Sequence, residues 1–366
     1  MQKILKGIDC LNEALKGSFK VLLVCDSSFP FLNIKDDIER MEMPYVLFDQ
    51  FTSNPLYQDV CKGVDLFRNS KCDTILAVGG GSSLDVAKCI KLYCQMEKGK
   101  LYLEQEYKDT GVKLVAIPTT AGTGSECTRF AVIYYEGKKQ SVTHDSIIPN
   151  MAILEPKVLK TLPLYQKKCT MMDALCQGIE SWWSVNSTDE SKGYSKTAIE
   201  LIMANWRKYI YENDDDASIN IMNAANFGGK AINIAQTTAA HAMSYKITSL
   251  YNLPHGHAVA LCLPEIWDYM IGHTDGCIDS RGKEYVEGVF ESISLSIGVH
   301  GVEEAIKVIK NMMKELELNA PSFMDDAKAE LDILCNSVNP IRLKNNPIRL
   351  DHDAIYFLYR QAFKGE

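Results

Sequence analysis

The chain has 366 residues, enough for about two domains at roughly 100–200 residues each, and it needs no disulfide or zinc staple to bury a core. Hydrophobic residues at 46% and charged residues at 23% exclude a disordered polymer. Lys+Arg 39 against Asp+Glu 47 leaves a net charge of −8. That disfavours nucleic acid as a partner, because a phosphate backbone requires a positive surface. A local basic pocket for a small anion stays allowed.

No apolar run reaches the roughly 18–20 residues of a membrane span, and residues 1–17 lack the continuous apolar stretch of a signal peptide. No membrane partner is expected. The 12 cysteines include no C-x-x-C pair, which reads as reduced thiols and a cytoplasmic location.

Residues 1–157 alternate β-rich runs with helical patterns. Strands are predicted at Lys20–Cys25, Tyr45–Phe48, Thr74–Val78, Lys113–Ile117 and Met151–Leu154, with a hairpin of Phe130–Tyr135 and Lys139–Val142 turning at Glu136-Gly137. Helices are predicted at Pro55–Arg68 and Ser83–Cys94. The alternation implies parallel βαβ units with both sheet faces covered. After Pro163 the β signal fades. Met171–Trp183, Ser191–Tyr211, Ala217–Ala235, Pro264–Ile271, Val302–Leu316 and Asp353–Phe363 read as helices.

Four features carry chemistry. Gly79-Gly80-Gly81-Ser82-Ser83-Leu84-Asp85 lies between a strand and a helix, where backbone N–H groups can meet a phosphate; it equally reads as a plain turn. Pro118-Thr119-Thr120-Ala121-Gly122-Thr123 follows the next strand and suits a nucleotide at the sheet's carboxyl edge. Asp26, just past the first predicted strand, can bind a ribose diol or cap a turn. Asp173 and Gln177 share a helix face, while His241 and His255 flank an Asn252-Leu253-Pro254 break that places His255 at the start of a new helix. An acid and two histidines from different helices can hold a divalent ion. Equally, Asp173 and His255 can cap helices and His241 can be a hydrogen-bonded core histidine.

Taken together, the segments 79–88 and 117–126, Asp173-Ala174-Leu175 with Glu180, and His241 followed by Asn252-x-Pro254-His255-Gly256 resemble the iron-containing (group III) alcohol dehydrogenase family in order and spacing. Asn345-Asn346-Pro347 also fits. The resemblance spans essentially the whole chain. It implies an α/β plus all-α architecture: a Rossmann-like, parallel-sheet nucleotide-binding domain over residues 1–160 and a helical metal- and substrate-binding domain over 161–366, with the active site in the cleft between them. It implies reversible hydride transfer between a nicotinamide and an alcohol/aldehyde pair. A homodimer is left open.

Position by position, the resemblance gives Gly80, Gly81, Ser82 and Asp85 to the pyrophosphate loop and Thr119, Thr120 and Thr123 to the second nucleotide loop. Asn54 matches the family's Asn-Pro motif, and Lys139 the lysine near the nicotinamide ribose. Asp26 stands where an acid favours NAD(H) over NADP(H). Asp173, His241 and His255 match three of four metal ligands. The fourth position carries Gln177 in place of histidine, a poorer ligand for Fe2+ or Zn2+, which leaves metal identity and retention open. Tyr245 stands where many relatives carry a histidine, and Tyr245 and His257 are the candidate proton donors.

Segments 122–134, 180–191 and 241–265 resemble the phosphonoacetaldehyde reductase branch of that family. This implies reduction of phosphonoacetaldehyde to 2-hydroxyethylphosphonate, with Arg129 and Lys246 as candidate cations for the anionic tail. The alternatives are a reductase of an unphosphonylated short aldehyde or diol, a lyase of the dehydroquinate-synthase type, and a binding protein without catalysis.

Overall fold

The computed structural model describes residues 2–324 and 326–363. The chain divides into two compact units, residues 1–162 with 213–222, and residues 163–212 with 223–366. The first holds strands β1 (Lys3–Lys6), β2 (Val21–Cys25), β3 (Tyr45–Phe48), β4 (Thr74–Gly79), β5 (Lys113–Pro118), β6 (Phe130–Tyr135), β7 (Lys138–Thr143) and β8 (Met151–Leu154). Its helices are α1 (Leu11–Leu15), α2 (Lys35–Glu39), α3 (Tyr57–Asn69) and α4 (Gly81–Tyr93).

Six strands form one sheet in the order β1-β8-β5-β4-β2-β3, and every pairing in it is parallel. Parallel strands need crossover helices, which cover both faces, so β2 and β4 are buried at every residue. The chain leaves β2 for β3 on one side and then crosses to β4 on the other. Such a reversal opens a crevice at the carboxyl ends of β2 and β4. β6 and β7 form a separate antiparallel hairpin. Its turn residues Glu136 (φ 49°) and Gly137 (φ 71°) are both left-handed, as a two-residue type I′ turn requires.

The second unit is helical: α5 (Leu164–Trp183), α6 (Asp189–Arg207), the later part of α7 (Asp215–Ala235), α8 (Ala239–Tyr251), α9 (His255–Gly272), α10 (Lys283–Ile297), α11 (Val302–Glu315), α12 (Ala327–Ser337), α13 (Pro340–Leu343) and α14 (His352–Ala362). α5 is buried on all faces from Met171 to Trp183, which makes it the central helix of this unit. α8 ends on left-handed Asn252, and Pro254 precedes the first residue of α9. The predicted break therefore falls where His255 begins a helix. No helix among the described residues is long and apolar enough to cross a membrane.

Several elements differ from the sequence expectation. β1, α10 and α12 were not anticipated, α9 runs through Pro264 instead of starting there, and the predicted helix to Tyr211 changes from α to a π-helical stretch at Lys208–Glu212.

Candidate active site

In the first unit, the predicted nucleotide residues gather at the crevice between β2 and β4. Gly79 has φ 152°, and a Cβ there would sit 2.2 Å from Ser83 Oγ, so glycine is required. Gly80 caps α4 without a side-chain hydrogen bond. Helix N-terminal N–H groups near Gly81 and Ser82 are thereby presented without a protein cap, an anion-binding arrangement. The two loops face each other closely. A Cβ on Gly80 would meet Thr120 at 3.5 Å, and one on Gly81 would meet Thr123 at 3.0 Å. Thr119 is fixed by its N–H to the Gly79 carbonyl at 3.0 Å.

Asp26 ends β2 beside this loop. It accepts Ser83 Oγ at 2.8 Å through one oxygen and the Ser28 N–H at 2.8 Å through the other. Asn54, left-handed at φ 55°, is exposed. The next carbonyl, of Pro55, accepts Tyr134 N–H at 2.9 Å, and Tyr134 pairs across the hairpin with Lys139. The hairpin therefore ties the Asn-Pro segment to Lys139.

Asp85 is placed differently from its neighbours in the loop. Its carboxylate accepts Ser125 Oγ at 2.8 Å and Val132 N–H at 2.9 Å. Burial raises its pKa against the opposing pull of Lys88. Lys88, fully buried, donates to Ser125 Oγ (2.9 Å), Thr128 Oγ1 (3.0 Å) and the Phe130 carbonyl (2.8 Å). Burial lowers its pKa to about 8, with Asp85 pulling the other way. The pair clamps α4 to the second loop, a positioning role that the sequence did not reveal.

In the second unit, α5 carries Asp173, Gln177 and Glu180 at spacings of four and three, on one helix face. The Asp173, His241 and His255 donor atoms lie within 4.8 Å of one another. His241 Nε2 is 3.3 Å from Asp173 Oδ1. The Gln177 side chain hydrogen-bonds Asp173. His255 sits 5.2 Å from His241, ring centre to ring centre, with Nδ1 3.4 Å from Ser244 Oγ. Gly256 makes the approach possible: a Cβ there would lie 2.0 Å from the Cys169 carbonyl and 2.8 Å from Asp173 Cβ.

Glu180, fully buried, builds the back of this cluster. One oxygen accepts the N–H groups of Thr238 (3.1 Å), Ala240 (2.9 Å) and His241 (3.3 Å) and the Thr238 hydroxyl (2.9 Å). It thus caps the N-terminus of α8, where a carboxylate is favoured by the helix dipole. The other oxygen takes the His241 Nδ1 proton. Burial opposes charge on His241, yet Glu180 and Asp173 outweigh it and raise its pKa to about 9. Burial would raise Asp173, but the two histidines and Gln177 hold its carboxyl below the usual range.

This donor set fits a divalent ion. A carboxylate and two imidazoles suit Fe2+ or Zn2+. A carboxylate on Nδ1 leaves Nε2 aimed at the cluster, the usual arrangement behind a metal-binding histidine.

The remaining predicted residues are more dispersed. Tyr245 stacks on His255, with ring centres 5.7 Å apart and planes 2° from parallel. His257 accepts the Tyr165 hydroxyl at Nδ1 (2.8 Å) and donates from Nε2 to the Asn319 carbonyl (3.0 Å), and burial lowers its pKa. Both of its nitrogens are therefore engaged. Arg129, in the first unit, pairs with Asp145 at 3.4 Å and lies over Phe130. Lys246 lies roughly 140° around α8 from His241, at 3.6 residues per turn. Glu180 was missed as a site residue. Glu180 had a signal, seven residues after Asp173 on the same face. The sequence also repeats Asn-Pro-Ile-Arg-Leu, at 339–343 and 346–350.

A parallel sheet with an open crevice and a helical unit carrying a carboxylate–imidazole cluster are the parts a metal-linked dehydrogenase needs. Residues 2–156 match the iron-containing alcohol dehydrogenase family, and residues 168–363 match the Fe-containing alcohol dehydrogenase family C-terminal region. A phosphonoacetaldehyde reductase of Streptomyces viridochromogenes is 30% identical over 302 residues, covering 79% of this chain and 75% of that protein. Alcohol dehydrogenase 4 of Schizosaccharomyces pombe is 27% identical, covering 97% and 86%. An iron-containing alcohol dehydrogenase structure from Thermotoga maritima superposes with a TM-score of 0.83 at 26% identity, covering 99% and 98%. The chain belongs to the iron-containing alcohol dehydrogenase family. It is an alcohol dehydrogenase oxidoreductase, and the family implies a metal and NAD(H).

Proposed function

We propose that this dehydrogenase reduces an aldehyde bearing a terminal phosphonate, phosphonoacetaldehyde to 2-hydroxyethylphosphonate, with NADH preferred over NADPH. The observation that carries the reading is the 30% identity to a relative named for that reaction, over three-quarters of both chains. Residues 1–160 bind the dinucleotide, and residues 161–366 bind metal and substrate. The cytoplasm is its working location, which the mostly buried thiols support.

Asp173, His241 and His255 would hold the divalent ion, with Gln177 beside Asp173, and such an ion would supply Lewis acidity toward the carbonyl oxygen. NADH would supply the hydride. The chain's own residues do the rest. Glu180 holds the His241 ring in one tautomer and orientation. Thr119, Thr120 and Thr123 with Gly80, Gly81 and Ser82 orient the nucleotide phosphates, and Asn54 and Lys139 serve its ribose end. Asp85 fixes the loop through Ser125. Asp26 repels a 2′-phosphate. Tyr245 Oη delivers the proton to the product alcohol, a role its stacking on His255 supports better than the doubly engaged ring of His257. Arg129 and Lys246 are the cations the sequence nominates for the tail, although Arg129 already pairs with Asp145.

The test is an aldehyde panel with NADH and NADPH, run with iron, zinc, manganese or a chelator. Phosphonoacetaldehyde should exceed propanal in kcat/KM, and Asp26→Gly should improve NADPH use. Equal efficiency on both aldehydes would leave the dehydrogenase and remove the phosphonate.

A further inference from the structure

The pentapeptide that occurs twice has two fates. In the second copy, Asn346 is fully buried and donates to the Ile348 carbonyl at 2.8 Å, while Arg349 is exposed. In the first copy, Asn339 caps a single helical turn, α13, by accepting Ile341 N–H at 2.9 Å. That turn carries Arg342 to the Tyr245 ring, with the guanidinium carbon 5.6 Å from the ring centre. Tyr245 in turn lies flat on His255. An arginine, a tyrosine and a histidine of the metal cluster thus form one continuous stack.

Two facts separate Arg342 from a surface cation. First, it is half-buried, and among the described residues its guanidinium has neither a carboxylate nor a hydrogen-bond acceptor. Arg207 and Arg281 pair with Glu315 and Asp279 at 2.7 and 2.6 Å, and Arg68 is held by three carbonyls. Second, its backbone is anchored. Asn345 bonds the Gln236 side chain at 3.0 Å and the Thr237 carbonyl at 3.1 Å, next to the Glu180-capped start of α8. A guanidinium fixed over an aromatic face, with its N–H fork unclaimed by protein, is built for a bidentate oxyanion.

We propose that Arg342, held over Tyr245, is the specificity residue that takes the anionic tail of the aldehyde. This rests on the phosphonate reading given above and deepens it. The recognised chemistry is a tetrahedral or planar oxyanion a short chain from the carbonyl, which phosphonate, sulfonate and carboxylate share. The guanidinium fork makes it a selective contact, whereas the lone ammonium of Lys246 is a point charge on a different face of α8.

The experiment measures kcat/KM for phosphonoacetaldehyde, sulfoacetaldehyde and propanal in the wild type, Arg342→Gln, Arg342→Lys and Lys246→Gln, together with inhibition by ethylphosphonate. The phosphonoacetaldehyde-to-propanal ratio should fall roughly 10- to 150-fold in Arg342→Gln, the scale of a hydrogen bond to a charged group. Ethylphosphonate inhibition should weaken in parallel, and Arg342→Lys should restore part of both. The sulfoacetaldehyde arm shows which oxyanion is preferred. An unchanged ratio in Arg342→Gln, or a fall in Lys246→Gln alone, overturns the assignment and leaves the phosphonate reading intact. Equal loss on all three aldehydes makes Arg342 structural and also overturns it. A wild type without preference for either anionic aldehyde removes the reading and the assignment together.

Discussion

Two clusters of charge buried among the described residues are built oppositely. In the first unit, Asp85 and Lys88 sit three residues apart on one helix. The carboxylate has two donors and the ammonium three oxygen acceptors. Each charge is answered by the protein, so the node is closed and acts as a clamp. In the second unit, Asp173, His241 and His255 come from three helices and point ligand atoms at one another. Glu180 is satisfied behind them, while the atoms in front converge on a common point. Buried polar groups are ordinarily paired. Where the pairing is complete the cluster positions structure, and where donor atoms of metal-binding type converge it offers a place for a ligand.

The comparison is sharpened first at Glu180. Glu180→Gln keeps the shape but removes the charge behind His241, and loss of such a partner typically costs 10–100-fold in metal affinity. We expect about that loss in a titration with free metal, with secondary structure retained. Affinity within twofold of the wild type would make Glu180 a helix cap and nothing more.

The closed node has its own signature in pH. Lys88 is lowered to about 8 in the fold against an unfolded value near 10.4. Holding its charge in the interior therefore costs stability below pH 8, and the cost is relieved as pH rises toward 10, because the unfolded chain then binds more protons. Measured against Lys88→Met, the wild type should gain roughly 1–3 kcal/mol between pH 7 and pH 10. The difference between the two proteins isolates Lys88 from the buried tyrosines and thiols, whose raised values act in the opposite sense. A flat difference would mean that Lys88 is not desolvated. The smallest effect is expected at Gln177. Gln177→His exchanges a neutral oxygen for an imidazole beside Asp173 and should raise metal retention on dialysis several-fold; equal retention would place Gln177 outside the ligand set.

Much of this was legible before the fold was known. The central strands are continuous apolar runs, the Glu136-Gly137 turn names its own geometry, and Asn252-Leu253-Pro254 marks the α8–α9 junction that separates His241 from His255. β1 was not legible because two of its four residues are exposed and its pairing is with β8, far along the chain. α10 was obscured by serine and β-branched residues, which are poor helix formers until packing decides; Ser294 there is buried and returns its hydroxyl to the Phe290 carbonyl at 2.9 Å. At the site, residue type and spacing left Asp173, His241 and His255 open between ligands and helix caps, and the family resemblance singled them out. The roles of Glu180 and Arg342 depend on contacts made only in the fold, to an imidazole and to an aromatic face.

The most direct test of the contrast between the clusters is metal stoichiometry in two matched variants. Wild-type protein and Asp85→Asn should each retain about one equivalent of Fe2+ or Zn2+ after dialysis, and Asp173→Asn should retain little. Full retention in Asp173→Asn, or loss in Asp85→Asn with the second unit still folded, would contradict the assignment of the open cluster as the ligand site and the closed one as a clamp.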